Sequence, residues 1–352
     1  MGLVSLLRKT NRKTLFTTPS HSQRFFIFHK LRNLYRCDIS ETETHNPEAE
    51  LIKSEKYAAQ IYKTTATKYL TNGSTSGVIA SVLACTKKGD KVLLWDNAHP
   101  CHKNAVILAG ASPVFYELPV DEEWGVVKGV TNKILEPFLA KNDIKAVIIT
   151  SPTYEGFVSN IREIKSLCEK YNSYLIVDEA HGALYPFCED LPDSAVNIAD
   201  FTVQSLHKTA GGLNPTALLH TNTNLNINDA LTLINTTSPS YPILASIEAN
   251  INYLNSKRGR KRISDIVKLI TDLRRDCAGC TFGGDDITKI LVKIDGISGF
   301  NLSDILFNEY NIEDEKTNDI STMLLCGIGT DESKIKRLKS ALKSIVKKCN
   351  KL

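Results

Sequence analysis

No stretch of this 352-residue chain approaches the roughly 18 consecutive apolar residues that a bilayer-crossing helix needs, and its first residues lack the apolar centre of a secretory signal. The expected compartment is therefore the cytoplasm. No Walker A loop occurs, and no GxGxxG follows a strand-like run, so nucleotide binding is not indicated. Internal repeats are missing, which argues against a solenoid. Acidic residues are absent from positions 1–36, where eight Lys and Arg lie; the remaining 35 basic residues face 39 acids. The formal charge of +4 thus belongs to one arm and gives nucleic-acid binding little support. That basic opening is compatible with a transit peptide, whereas "MGLVSL" misses the myristoylation pattern because Leu6 stands where Ser or Thr is needed.

Nine cysteines are present, an odd count in a chain too large to need covalent staples, and they read as reduced thiols. Cys277 and Cys280 have the spacing of a metal or redox pair, but no second pair is near and a plain loop is the preferred reading. At 42% apolar residues the chain can bury a full core. From about residue 76 helical and strand signals alternate. "SGVIASVLACTKKG" and "IREIKSLCEKYN" have helical spacing, and "KVLLWD", "SPVFYEL", "IKAVIIT", "YLIVDEA", "FTVQSL" and "TALLHT" are short apolar runs. Runs apolar on both faces predict an α/β domain around a mostly parallel sheet. After about residue 250 a basic helical segment, the strands "ITKILVKI" and "STMLLCGIG", and two further helices predict a smaller α+β domain. The expected division is an N-terminal basic arm over 1–35, a large domain over 36–253 and a small one over 254–352.

Ligands of parallel sheets bind beyond the carboxyl ends of the strands, so the residues after each run are the informative ones. "TNGSTSG" leads into a helix, where Gly73, Ser74 and Thr75 offer N–H groups and hydroxyls suited to a phosphate or to a simple cap. "VDEAHG" ends a strand on Asp178, which suits the nitrogen of a pyridine ring or a loop cap, with His181 close by. "SLHKTAGG" puts Lys208 after the next strand but one helix-length away, either as a solvated charge or as an amine that condenses with an aldehyde. "DNAHPCHKNAVILAGA" supplies a ring-stacking imidazole; His99, Cys101 and His102 could also be imagined on a metal, but a fourth ligand at useful spacing is missing and no metal is expected. The four places together match pyridoxal 5'-phosphate.

The ordered set "TPSHSQ", "HNPEAELIKSE", "TNGSTSG", "NAHPC", "SPTYEG", "VDEAHG", "SLHKTAGG" and "NTTSPSYPILAS" resembles the bacterial ornithine/lysine/arginine decarboxylases of pyridoxal-phosphate fold type I, over about residues 17–250. The resemblance implies that Lys208 bonds the cofactor, Asp178 faces its pyridinium and His181 its phenolic oxygen. Ser74, Thr75 and Ser205 would hold the phosphate, with His207 near it. A gapless count gives His99 the stacking role, and His102 is the alternative. Thr237, within Thr236–Pro239, matches a segment by which a neighbouring subunit reaches the same phosphate, so a homodimer with shared sites is implied. Glu315 matches a glutamate of the substrate region. Ser20 and Ser22 depart from the family's usual Pro-Gly-His-Lys pattern, and the chain is shorter than many members. The implied activity is decarboxylation of arginine, lysine or ornithine to an amine and CO2, as in polyamine biosynthesis. The competing readings are another fold-type-I enzyme (an aminotransferase or lyase) and a non-catalytic relative with a binding or regulatory role.

Overall fold

The computed structural model describes residues 14–16 and 47–349. Cys37, Ser20, Ser22 and most of the basic arm lie outside the described residues. A seven-stranded sheet runs, in spatial order, Ala66–Leu70, Ala217–Thr221, Phe201–Ser205, Tyr174–Asp178, Ile144–Thr150, Lys91–Trp95 and Ser112–Tyr116. Six strands run in one direction, five of them as an unbroken parallel block from Phe201–Ser205 to Ser112–Tyr116; Ala217–Thr221 runs antiparallel to both of its neighbours. The strand Ala66–Leu70 escapes the apolar-run criterion because its sequence, ATKYL, alternates polar and apolar residues.

The middle of this sheet is apolar on both faces because successive side chains point to opposite sides. Ala146, Ile148, Ile176 and Val203 pack with Val78, Val82, Ala105 and Val106 on one side. Val147, Ile149, Leu175 and Val177 pack with Leu135, Leu139, Ile164 and Leu167 on the other. Full burial of each such side chain contributes roughly 1.5–3 kcal/mol before the entropy of ordering it. The helix Gly73–Cys85 lies so close to the sheet that a Cβ on Gly77 would meet Val203 Cγ1 at 2.6 Å and Leu70 Cδ1 at 2.8 Å.

A second sheet of four antiparallel strands has the order Cys280–Gly283, Lys289–Ile294, Thr322–Leu325, Lys316–Thr317. Helices Lys257–Asp276, Gly299–Tyr310 and Glu332–Cys349 pack on it through Ile263, Ile266, Ile270, Leu302, Leu306, Leu338 and Leu342. Leu206, Leu218 and Ile247 belong to the same apolar cluster, so the two sheets share a core. Thr14–Leu15 pairs in parallel with Ile312–Glu313, and Phe16 is buried beside it. Three residues of the N-terminal arm are therefore part of this second unit. The plain-loop reading of "CAGC" holds for the turn at Gly279 but not for Cys280, which opens a strand. All eight described cysteines are free. Among the described residues no helix is long and apolar enough to cross a membrane.

Candidate active site

The strands that end at Trp95, Tyr116, Thr150 and Asp178 deliver those residues to the wall of one cleft of about 710 Å³, at the carboxyl edge of the parallel strands. Lys316 and Asn318, from the second sheet and the turn after it, line the opposite wall. Eight of the residues singled out from sequence line this cleft, namely Gly73, Ser74, Thr75, His99, Asp178, His181, His207 and Lys208; Ser205 and Glu315 do not.

Asp178 and Lys208 come from adjacent parallel strands, as their spacing suggests, with Asp178 opposite Val203. The expected helix between the strands is not there: residues 179–200 form loops and a short 3-10 turn at Tyr185–Phe187, because Pro186 and Pro192 interrupt helical hydrogen bonding. Asp178 is buried, receives a hydrogen bond from His102 Nε2 at 2.9 Å on Oδ2, and from the Ala180 N–H at 3.2 Å on Oδ1. Burial pushes its pKa upward, but the His102 hydrogen bond and charge, with Lys208, outweigh burial and hold it below the usual carboxylate value. Asp178 is an anion in a dry site.

That contact separates the two histidines. His102 is fully buried and lies behind Asp178, whereas His99 caps the helix Pro100–Leu108 and faces the cleft. His99 Nδ1 accepts from the Cys101 N–H at 3.3 Å, and burial, then nearby cations, lower its pKa. Cys101, His102 and Asp178 offer three ligand atoms within 4.8 Å of one another. The His102 nitrogen nearest Asp178 is engaged with the carboxylate, so the trio reads as a brace for Asp178.

The helix Gly73–Cys85 begins with Gly73 at φ 72° and has no side-chain cap from Asn72. Gly73 donates its own N–H to the Pro215 carbonyl at 2.8 Å, which leaves the following N–H groups at the helix start to meet an anion. The Ser205 hydroxyl is fully buried without a hydrogen-bond partner among the described residues. His207 donates from Nδ1 to the Thr216 carbonyl at 3.0 Å. Thr237 is exposed and away from this cleft.

Several groups in or behind the cleft wall were not singled out from sequence. Lys289, fully buried at the start of its strand, lies 3.0 Å from His181 Nδ1, while Lys208 Nζ lies 3.2 Å from His181 Nε2. The edge of the Tyr154 ring meets the His181 ring at 4.7 Å between centroids. Glu155 is buried in the cleft wall and accepts from Lys316 at 2.5 Å. Glu315 instead accepts from the Tyr154 hydroxyl at 2.5 Å, one residue away from the lining Lys316. The sequence "SPTYEG" contains both Tyr154 and Glu155, but nothing local distinguishes them from a surface turn.

A mostly parallel seven-stranded sheet with a lysine just past one strand and a carboxylate at the end of the next, covered by a smaller sheet, defines the pyridoxal-phosphate fold type I class. The family model for the Orn/Lys/Arg decarboxylase major domain matches residues 11–288, and the chain belongs to that family of amino-acid decarboxylases. An arginine decarboxylase of Bacillus anthracis is 28% identical over 94% of this chain and 73% of its own length. Lysine decarboxylase A from Pseudomonas aeruginosa superposes with a TM-score of 0.78 at 20% identity, covering 92% of this chain. This chain spans 55% of that enzyme. A sphingosine-1-phosphate lyase from Burkholderia pseudomallei K96243 has a TM-score of 0.76 at 13% identity over 98% of this chain and 89% of its own. The fold is thus shared well beyond the family.

Proposed function

We propose that this chain decarboxylates a basic amino acid, arginine, lysine or ornithine, with pyridoxal 5'-phosphate held at Lys208. The observation that carries this reading, beside family membership, is an anionic, buried Asp178 and an amine at Lys208 facing one cleft from adjacent strand ends. The donor set fits the cofactor. The uncapped helix start at Ser74 and Thr75 suits its phosphate, and the partnerless hydroxyl of Ser205 is a further candidate donor for it.

When bound, pyridoxal 5'-phosphate supplies an aldehyde for the lysine amine and a ring that takes up the electrons released when a carboxylate leaves as CO2. The protein's part is positioning and charge. Asp178, kept ionised by its hydrogen bond from His102, would be the counter-charge that keeps a proton on the ring nitrogen. His99, which lines the cleft, would stack on the ring, and His181 would be the residue nearest its phenolic oxygen. The amine of Lys208 and the imidazole of His99 would be the groups able to deliver a proton to a substrate's α-carbon from the cleft.

Recognition of the substrate's distal cation calls for an acid inside the cleft, because an unpaired buried cation is costly. Glu315 matches by resemblance, but Glu155 is the better candidate: it lines the cleft, where it already accepts from one ammonium group, that of Lys316. Among the described residues no arginine lines the cleft, which favours decarboxylation over a transamination that clamps the substrate carboxylate. Exposed Thr237 suits a role in the neighbouring site of a homodimer.

The test is reconstitution of purified protein with the cofactor, followed by CO2 release and mass-spectrometric detection of amines from arginine, lysine and ornithine separately. One amine in stoichiometry with CO2 is expected. A keto acid without CO2 would instead establish a transaminase, and protein that remains colourless with excess cofactor would remove the cofactor assignment itself.

A further inference from the structure

Glu155 is a buried carboxylate whose side chain has a single hydrogen-bond partner among the described residues, the Lys316 ammonium at 2.5 Å. The two ends of that pair differ in exposure: the Glu155 side chain is 7% exposed and that of Lys316 53%. The carboxylate belongs to the cleft wall, whereas the lysine reaches in from a two-residue strand at the edge of the second sheet. The Tyr154 ring completes the surroundings of the ammonium, with its centroid 5.1 Å from Lys316 Nζ. A carboxylate and an aromatic face around one cation are the groups that suit an alkylammonium ligand.

The loop that carries Glu155 does not depend on this ion pair for its place. The Asp285 and Asp286 N–H groups both donate to the Gly156 carbonyl at 2.8 Å, the Val158 N–H donates to Asp285 Oδ2 at 2.9 Å, and the Tyr154 hydroxyl donates to Glu315 at 2.5 Å. Across the cleft, the Glu315 N–H donates to the Met323 carbonyl at 2.8 Å, so the backbone beside Lys316 is held by its own sheet. These contacts join loop and sheet without the lysine, whose long stem can swing into water and regain rotamer freedom. Glu155 stays behind, and a buried carboxylate without a partner is costly until another cation takes the place. The same spot adjoins the reactive end of the cleft: the Tyr154 ring meets the His181 ring at 4.7 Å between centroids, and His181 Nε2 lies 3.2 Å from Lys208 Nζ.

We propose that Lys316 is an internal stand-in for the substrate's distal cation: its ammonium holds the subsite made by Glu155 and Tyr154, and a basic amino acid displaces it on entering. The identity of the substrate rests on the proposed function, whereas the exchange of one ammonium for another is a property of the chain alone. Because the lysine competes for the same carboxylate, the subsite accepts a ligand only in the fraction of molecules from which Lys316 has withdrawn, and apparent affinity is lowered by that fraction. Lys316 thereby sets specificity. A ligand with a cation at the right distance replaces it, and an uncharged ligand of the same length does not.

The experiment is calorimetric titration of the full chain, without cofactor, with 1,5-diaminopentane and with 1,5-pentanediol as its uncharged counterpart. Lys316→Met should bind the diamine at least about tenfold tighter than the unsubstituted protein does, with the diol unaffected. Adding Glu155→Gln should remove that gain. Diamine binding that is absent, unchanged or weakened in Lys316→Met would overturn the proposal, because the lysine would then be part of the wall rather than an occupant. A gain that survives Glu155→Gln would overturn it too, by reducing the effect to overall charge. A crystal structure of the unsubstituted protein at saturating diamine keeps the test independent of how the variants fold: a ligand ammonium on Glu155, with Lys316 Nζ beyond the salt-bridge reach of about 4 Å, is expected, and Lys316 still seated on Glu155 sinks the exchange. In reconstituted enzyme, KM for the accepted amino acid should fall in Lys316→Met; a rise would assign the lysine to substrate binding and overturn the inference. Should no basic amino acid release CO2 in any version while the diamine exchange is as stated, the decarboxylase reading fails and the Lys316 inference stands.

Discussion

Asp178 and Glu179 are consecutive, both buried, and opposite in electrostatic character. Asp178 turns to the cleft, and against the upward push of burial the His102 imidazole behind it and the Lys208 amine hold its pKa down. Glu179 turns away and accepts only from neutral donors: Ser194 Oγ at 2.6 Å, the Ala195 N–H at 2.7 Å and Gln204 Nε2 at 2.6 Å. Desolvation wins over those three donors and raises its pKa from 4.5 to about 7. Hydrogen bonds from neutral groups do not replace a counter-charge in a dry site. One strand end thus presents a fixed anion to the ligand side, while its neighbour ties loops together on the far side.

If the cleft side carries the chemistry, substitutions there should cost activity at little cost in stability. Lys208→Ala should have the largest effect, abolishing the visible absorbance of the reconstituted protein and lowering CO2 release at least about 10³-fold. Asp178→Asn comes next, with a loss on the order of 10²–10³-fold in kcat because the counter-charge is removed. His102→Ala acts through Asp178: the carboxylate loses its partner, its pKa rises, and activity should fall about tenfold, with the acid limb of the pH profile moved to higher pH. Equal losses for Asp178→Asn and His102→Ala would erase the distinction between the group at the ring and the group that supports it. Glu155→Gln should raise KM for a cationic amino acid about 10- to 100-fold with kcat nearly unchanged, since a hydrogen bond to a charged group contributes about 1.5–3 kcal/mol. The same substitution at Glu315 should do less, because Glu315 does not line the cleft and accepts from the Tyr154 hydroxyl instead.

Lys208 and Asp178 were legible in sequence for a shared reason: each follows or ends an apolar run, and parallel topology gathers such ends at one edge, whereas the helix start at Ser74 was legible from its glycine and hydroxyl residues ahead of a helical pattern. Strand direction was less legible, since an apolar run such as TALLHT is equally compatible with the antiparallel pairing it makes. The crossover between Asp178 and Lys208 carries the spacing of a helix without its periodicity, and its two prolines were the available warning. Lys289 and Glu155 were out of reach because their partners lie 108 and 161 positions away, on a different sheet. The choice between His99 and His102 rested on counting, and only the contact with Asp178 gives each a separate place. Glu315 stands one residue before the lining Lys316, just ahead of a short strand on a sheet edge, a displacement too small for sequence spacing to resolve.

The smallest effect on activity, and the one that isolates the far side, belongs to Glu179→Gln. In the folded protein this carboxyl titrates near 7 rather than 4.5, so between those values the native state keeps a proton that the unfolded chain has lost. Stability attributable to Glu179 is therefore full below about pH 4.5, falls as pH rises to about 7, and stays low above it. The amide keeps the shape of the protonated acid and cannot ionise, so the variant should lose that slope. Melting temperature measured from pH 5 to 8 should decline for the unsubstituted protein and decline less for Glu179→Gln, with a gap at pH 8 of up to about 3 kcal/mol and CO2 release within about twofold. Parallel pH curves would mean that Glu179 is ionised in the fold, and the contrast with Asp178 would reduce to which way each side chain points.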